Sequence, residues 1–459
     1  LAKSGNLSTL SKKAKLEDLR SLPITDFDDY HTAFRKTLAT KLNPYNGEKV
    51  HFWAVSTGSS GIPKLFPISK SVDQSNEEFS KYRVSTLVDK FDVLSIEPEM
   101  IFVMPGEHVD FAPGMPIGQI GYYHYHRSMP KWAEENFIFP KDLYADEALF
   151  NTWHTIVGLM SDCSGITTSI PARLYHFLSQ IKQQKELLIE QLEKEEWPTQ
   201  LAHHYDPERA KFVVSVLKKD EFSPKEIWPS LKFICVWKAS ETCKRQYDEL
   251  LDNFKLDGIE IIDQVYNASE GVFNIPLIDE IGGPINIFGI ILEFYEQETD
   301  TYYWPWELSE GKIYDLIITT AMGLTRYRMK DRVECTGYFE KVAKIKFHSR
   351  TFPEISLGWG VITEEQLEKA LATANITKFS DFYFALNKQG NGIDLVSAQP
   401  SYERSIASIE KALIQENANY GEQLIAGNFS PLQFRQLSPL KYAEVMLQNA
   451  NTKRLLLKE

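Results

Sequence analysis

The chain has 459 residues and a mass of 52.8 kDa, too long for one ordinary hydrophobic core, which predicts two unequal domains. Hydrophobic residues make up 43% and charged residues 25%, values that argue against a disordered chain. The formal net charge of -13 excludes general affinity for a phosphate backbone, so we expect no nucleic-acid partner.

The cysteine content predicts reduced thiols and a cytoplasmic location. Four cysteines, at positions 163, 235, 243 and 335, form no CxxC pair and are too few to cross-link a chain of this size. No apolar run approaches about 18 residues, so we expect no membrane association. Nothing in the sequence indicates an obligate protein partner.

Short apolar strands alternate with helical segments through the first three-quarters of the chain, which predicts a large α/β domain over residues 1–345. Segments rich in β-branched and aromatic residues predict strands over residues 231–237, 258–265, 288–296 and 313–320. Three of these strands end in polar or glycine-containing turns. In open α/β sheets ligands bind at such strand ends.

Two later segments have other patterns. Apolar residues at helical spacing predict one long helix over residues 171–197, ended by Pro198. From residue 346 to 459 the order becomes helix, hairpin, helix and strand. This order predicts a small C-terminal α+β domain.

The strongest local motif is Ser-Thr-Gly-Ser-Ser-Gly-Ile-Pro-Lys over residues 56–64, directly after an apolar segment. Two glycines let the backbone approach a ligand, while hydroxyls, backbone N–H groups and Lys64 can surround phosphate oxygens. The spacing is not that of a Walker loop. Taken alone, the motif is equally typical of an ordinary Ser/Gly-rich turn.

A second polar segment, Tyr-Asn-Ala-Ser-Glu-Gly over residues 266–271, follows a predicted strand. A glutamate at a strand end can hold Mg²⁺, a hard cation that prefers carboxylate, water and phosphate oxygens. The alternative for Glu270 is a helix cap.

The third segment, residues 323–331, ends in Tyr-Arg-Met-Lys-Asp. An aspartate there can accept both hydroxyls of a ribose, and a tyrosine offers a flat face to a purine. The alternative for Asp331 is an ion pair with Arg326 or Arg328.

In this order and at these separations the three segments resemble the signature motifs of the adenylate-forming superfamily. More narrowly, they resemble those of the plant auxin-responsive acyl-acid amido synthetases of the Gretchen Hagen family and their bacterial relatives. That family has a Ser/Thr/Gly-rich loop ending in Lys, a Tyr-x-x-Ser-Glu segment and a Tyr-Arg-x-Gly-Asp segment. Residues 114–121, 165–174 and 307–328 are also similar to its acyl-pocket strand, its pocket helix start and the stretch before its third motif.

The resemblance implies a large adenylate-forming domain with mixed sheets and flanking helices, and a small mobile C-terminal domain. It implies an ATP-dependent ligase that activates a carboxylic acid as its acyl-AMP and conjugates it to an amine, with an amino acid as the expected acceptor. AMP and pyrophosphate are released. An acyl-CoA-forming enzyme and a non-catalytic nucleotide-binding relative are the alternatives.

The cofactors implied by the resemblance are ATP and Mg²⁺. Lys64, Glu270 and Lys453 are the implied catalytic residues, with Glu270 as the Mg²⁺ ligand and Lys453 entering from the mobile domain. The residues implied to contact the nucleotide are Ser56, Thr57, Gly58, Ser59, Ser60, Gly61, Tyr266, Asn267, Ala268, Ser269, Tyr327, Asp331 and Arg350.

The sequence departs from the family pattern at two positions. Lys330 stands where the family has glycine before the ribose-binding aspartate, and the turn at residues 236–240, which includes Lys238, lacks the family's glycine. If either glycine supplies a positive φ, the backbone here must differ or carry strain.

Overall fold

A computed structural model describes residues 15–38, 40–56, 64–91, 99–102, 116–123, 143, 147–168, 171–194, 197–239, 247–248, 250–350, 354–357, 360–376, 381–439, 441–442 and 445. Two compact units are present: one runs to Ser56 and from Leu65 to Ser349, and the other contains Lys64 and the residues from Arg350 onward. Within these ranges no helix has the length and hydropathy needed to cross a bilayer.

Within the described ranges the helices are short, apart from one of 22 residues. The α-helices are α1 (Asp28–Thr37), α2 (Lys70–Phe91), α3 (Ile120–Tyr122), α4 (Glu147–Met160), α5 (Pro171–Gln183), α6 (Lys185–Glu193), α7 (Pro207–Leu217), α8 (Pro224–Ile227), α9 (Glu364–Thr373), α10 (Ile406–Glu416) and α11 (Ala418–Ile425). The 3-10 helices are Leu16–Ser21, Ala202–His204, Pro305–Glu307 and Pro400–Ser405.

Most strands belong to the first unit. Its strands are β1 (Val50–Ser56), β2 (Lys64–Ser69), β3 (Glu99–Phe102), β4 (Ile117–Gln119), β5 (Gly165–Thr168), β6 (Phe233–Val236), β7 (Glu260–Asp263), β8 (Asn267–Ala268), β9 (Gly271–Val272), β10 (Gly283–Pro284), β11 (Ile290–Glu296), β12 (Thr301–Tyr303), β13 (Ile313–Thr320), β14 (Tyr327–Phe339) and β15 (Val342–Arg350). The others are β16 (Glu354–Ser356), β17 (Val361–Thr363), β18 (Phe382–Leu386), β19 (Ile393–Ser397) and β20 (Gln433–Gln436).

The described strands of the first unit form three sheets and a short hairpin. The orders are β2-β1-β4, then β3-β5-β6-β7 with parallel pairing, then the antiparallel β10-β15-β14-β13-β11-β12, while β8 and β9 pair as a hairpin. β6 reads Phe-Ile-Cys-Val and is buried along its whole length, as expected for a parallel strand covered on both faces. The mixed sheets predicted for the large domain are confirmed.

The long helix predicted over residues 171–197 is wrong in one respect, because two helices, α5 and α6, occupy that stretch. The break is at Gln184, whose φ of -111° and ψ of 21° are not helical. Leu174 and Leu188, one from each helix, are buried in the same core. The periodicity found the correct buried face, but the break has neither Pro nor Gly to indicate it.

The second unit contains the predicted helix, hairpin, helix and strand as α9, β18–β19, α10 and β20. β18 and β19 pair antiparallel and β19 and β20 pair parallel. Phe382, Leu395 and Leu413 lie in its core. The α+β class predicted for this part of the chain is confirmed, with α11 as an additional helix that begins at Ala418 and is capped by Asn417.

Candidate active site

Glu270 lies in the turn of the β8–β9 hairpin. Ala268 pairs with Gly271, so Ser269 and Glu270 form the two-residue loop, and both are buried. Glu270 is therefore a turn residue and not a helix cap. The Ser269 hydroxyl lies 3.5 Å from the carbonyl oxygen of Val55, the residue before Ser56. The hairpin thus places the second motif beside the strand end from which the first motif begins.

Asp331 lies at a bulge in β14. Ile317 pairs with Arg328 and Asp315 pairs with Arg332, so one residue of β13 faces three residues of β14. The middle residue of the three, Lys330, has a φ of 61°. The left-handed backbone that glycine adopts easily is therefore present here with a lysine.

Two hydrogen bonds connect the second and third segments in a crossed arrangement. The Tyr266 hydroxyl donates to Asp331 Oδ2 at 2.6 Å, and the Tyr327 hydroxyl donates to Glu270 Oε1 at 3.3 Å. In each segment the tyrosine precedes the carboxylate by four positions. Each tyrosine therefore binds the carboxylate of the other segment, and all four side chains are buried.

Burial, followed by the charge of Glu270, raises the pKa of the Tyr327 hydroxyl far above its usual value. Tyr327 therefore remains protonated and acts as the donor toward Glu270.

The backbone around Tyr327 is held by the N-terminal segment. Thr25 forms a parallel bridge with Tyr327: its N–H donates to the Arg326 carbonyl at 3.0 Å, and its carbonyl accepts from the Arg328 N–H at 2.8 Å. The Tyr30 hydroxyl accepts from the Thr325 N–H at 2.9 Å. Thr25 and Tyr30 lie 300 and 295 positions before Thr325, so no local sequence motif predicts their part in the site.

Arg326 forms an ion pair with Glu293. This excludes the pair between Arg326 and Asp331, one of the two ion pairs considered as alternatives for Asp331. The Nε and Nη2 of Arg326 donate to the two carboxylate oxygens of Glu293, each at 3.0 Å, and both side chains are buried. Its Nη1 donates to the carbonyls of Arg20 and Leu22. Arg326 thus fixes the entry to β14.

The tyrosine that binds Asp331 belongs to a cluster of aromatic rings. The ring of Tyr266 packs at 4.8 Å from Phe273 and 5.6 Å from Phe347, and Trp237 lies 5.1 Å from Phe347. The Tyr266 N–H also donates to the side chain of Asn274 at 2.9 Å. These contacts hold the Tyr266 hydroxyl at the position from which it reaches Asp331.

At Lys238, in the second stretch that departs from the family pattern, the backbone does not have a positive φ. The Lys238 N–H donates to Asp263 Oδ1 at 2.8 Å, and Gly282 N–H donates to Oδ2 at the same distance. Burial raises the pKa of Asp263. The turn is therefore stabilised by a carboxylate at the end of β7.

Other predicted site residues are only partly described. Ser56 ends β1, Lys64 begins β2 and Arg350 ends β15. The Ser56 Oγ atom is buried and has no hydrogen-bond partner within the described residues. The predicted site residues that lie outside the described ranges are Thr57, Gly58, Ser59, Ser60, Gly61 and Lys453.

A separate groove of about 760 Å³ includes Lys182, Tyr247 and Phe254 in its lining. None of the lining residues belongs to the three motifs, so volume alone does not identify the candidate site. Within the described residues no group of three or more His, Cys, Asp or Glu could hold a metal. A Mg²⁺ ion bound by one carboxylate together with phosphate oxygens needs no such group.

Comparisons with known proteins agree with the motif pattern. A model described as the GH3 family N-terminal domain matches residues 6–255, and the GH3 family central domain matches residues 288–350. An indole-3-acetic acid-amido synthetase, GH3.3 of Arabidopsis thaliana, is 29% identical over 185 residues, which are 37% of this chain and 30% of that protein. GH3.8 of Oryza sativa subsp. indica, of the same description, is 24% identical over 282 residues, 52% of this chain and 45% of that protein.

The matches thus span less than half the length of these curated relatives. Among solved structures, a GH3.15 acyl acid amido synthetase superimposes with a TM-score of 0.66 at 16% sequence identity, over 99% of this chain and 88% of that chain. At 16% sequence identity, this structural similarity shows a shared fold and no more.

Proposed function

Because this chain belongs to the GH3 family, as its motifs predicted, we propose that it is an ATP-dependent acyl-acid amido synthetase. It activates a carboxylic acid as the acyl-AMP and transfers the acyl group to an amine, with an amino acid as the acceptor. AMP and pyrophosphate are the other products. One observation carries the proposal: the crossed bonds gather the carboxylates of two distant segments, Glu270 and Asp331, beside the end of β1.

The residues present fit ATP and Mg²⁺. Glu270 offers a buried carboxylate to the metal, and Asp331 offers one to the ribose hydroxyls. Ser56 contributes a buried hydroxyl without a described partner at the start of the phosphate loop. Residues 57–61 and Lys64 would surround the β- and γ-phosphates, residues 266–269 would line the adenine and acyl ends, and Tyr327 and Arg350 would lie near the nucleotide.

In the first half-reaction the substrate carboxylate attacks the α-phosphate, and negative charge builds up on the phosphate oxygens. Bound Mg²⁺ would neutralise part of this charge. Hydroxyls, backbone N–H groups and Lys64 stabilise the rest electrostatically, so the chain needs no covalent intermediate of its own.

In the second half-reaction a deprotonated amine attacks the acyl group, and water must be excluded. We propose that residues 346–459 form the mobile domain and residues 1–345 the adenylation domain, with Lys453 brought in during adenylation. Their fold supports two separate units.

The test is pyrophosphate release with ATP, Mg²⁺ and a library of carboxylic acids, with and without amino acids. We expect release that depends on one class of acid and an amide product, detected by mass spectrometry, that depends on an amino acid. Parallel reactions with CoA decide between an amide and a thioester. Nucleotide binding without release for any acid would contradict catalysis, and Glu270→Gln is the matched inactive control.

A further inference from the structure

We propose that Tyr266 and Tyr327 are positioning residues, each for the carboxylate of the other segment. The Tyr266 hydroxyl orients Asp331, the carboxylate for the ribose, and the Tyr327 hydroxyl orients Glu270, the carboxylate for the metal. The proposal rests on the function proposed above, because it takes ribose and Mg²⁺ as the partners of these carboxylates. It adds a role for the two hydroxyls to the nucleotide contact that the resemblance implies for both tyrosines.

The geometry at Tyr266 favours positioning. The residue is only 3% exposed, and its ring centroid lies 4.8 Å from that of Phe273 and 5.6 Å from that of Phe347. The hydroxyl reaches Asp331 Oδ2 at 2.6 Å, a distance typical of a charge-assisted O–H···O bond. Such a bond fixes the plane of the carboxylate that would meet the ribose hydroxyls.

Tyr327 is buried like Tyr266, but its hydroxyl forms a longer hydrogen bond. Tyr327 is 1% exposed, its ring lies 6.1 Å from that of Tyr30, and its backbone is held by Thr25. The hydroxyl lies 3.3 Å from Glu270 Oε1, longer than the usual O–H···O distance. We therefore expect a smaller effect from Tyr327 than from Tyr266.

The crossed arrangement predicts a pattern of variant effects that distinguishes positioning from a general structural role. Loss of a hydroxyl from the metal-binding segment should change ribose recognition, and loss of a hydroxyl from the ribose-binding segment should change metal dependence. Destabilisation of the fold would change both properties together.

The experiment compares Tyr266→Phe and Tyr327→Phe with the wild-type chain. Phe keeps the ring packing, and thermal unfolding checks that each variant is folded. Tyr314→Phe is the matched control, because Tyr314 is also buried in the six-stranded sheet but its hydroxyl accepts from Ser309 N–H. Calorimetry measures the affinity ratio of AMP to 2′,3′-dideoxy-AMP without metal, and the Mg²⁺ concentration that half-saturates ATP binding.

We expect Tyr266→Phe to lower the affinity ratio by about threefold to tenfold and to leave the Mg²⁺ midpoint in place. Tyr327→Phe should raise the Mg²⁺ midpoint by about twofold to fivefold and leave the ratio in place. The control should change neither. The reverse pattern, or normal values in both variants, would overturn the inference alone. A wild-type chain that binds neither AMP nor ATP would overturn the proposed function as well.

Discussion

The guanidinium of Arg326 lies against the carboxylate of Glu293, with two N–O distances of 3.0 Å. Neither side chain reaches solvent to any useful extent. This pair holds the turn directly before Tyr327, so it fixes the backbone where β14 begins.

Replacing Arg326 with Met should lower the free energy of unfolding by about 3–5 kcal/mol, because it leaves a buried carboxylate without its main partner. Urea denaturation measures the loss. Lys255→Met is the matched control, since the pair between Lys255 and Glu221, at 2.7 Å, is exposed to solvent and should contribute little to stability. Equal losses in the two variants would contradict the assignment.

Asp331→Ala should cost about 1–3 kcal/mol of folding stability even without nucleotide, because the Tyr266 hydroxyl then lies buried with its acceptor gone. Adding Tyr266→Phe should recover part of that loss. A double-mutant cycle in denaturant measures the coupling between the two positions. Additive effects would mean that the 2.6 Å bond contributes no net stability.

Lys330→Gly should raise the free energy of unfolding by about 1 kcal/mol, because a residue with a side chain at a φ of 61° carries strain that glycine lacks. Lys330→Ala removes the same charge and keeps the strain, so it should give no such gain. Thermal unfolding of the two variants separates backbone strain from charge. A gain in the Ala variant equal to that in the Gly variant would assign the effect to the charge.

His154 should make the protein less stable as the pH falls. Burial lowers its pKa to about 3, while the unfolded chain keeps a value near 6.5. Between these values the unfolded state binds a proton that the folded state does not, so stability is complete above about pH 6.5 and decreases below it by at most about 1.4 kcal/mol per pH unit. Denaturation midpoints from pH 7 to 4 measure the slope.

His154→Phe should flatten that slope, since a phenyl ring keeps the packing against Phe150 and Phe177. The same change at His203, an exposed residue, is the control and should leave the pH profile in place. An unchanged profile in the His154 variant would assign the acid sensitivity to other groups.

The sequence predicted the parts of the site that are coded locally. The positions of Glu270 and Asp331 after predicted strands, together with the family resemblance, predicted both as candidate site residues. The glycine missing at Lys330 predicted a changed or strained backbone, and the φ of 61° there is the strained form. The crossed bonds could not be predicted, because they depend on how the β8–β9 hairpin meets β14. The break at Gln184 was missed for a different reason: its polar neighbours are equally compatible with a continuous helix.

The bridge between Thr25 and Tyr327 has a consequence for biosynthesis. Thr25 leaves the ribosome 300 residues before Thr325, whose carbonyl its hydroxyl binds. At ordinary translation rates this interval is roughly 15 to 60 s. Through that time the emerging N-terminal segment has no partner from the third motif. A nascent chain therefore cannot complete the contacts around Tyr327 until residues 323–331 have been synthesised.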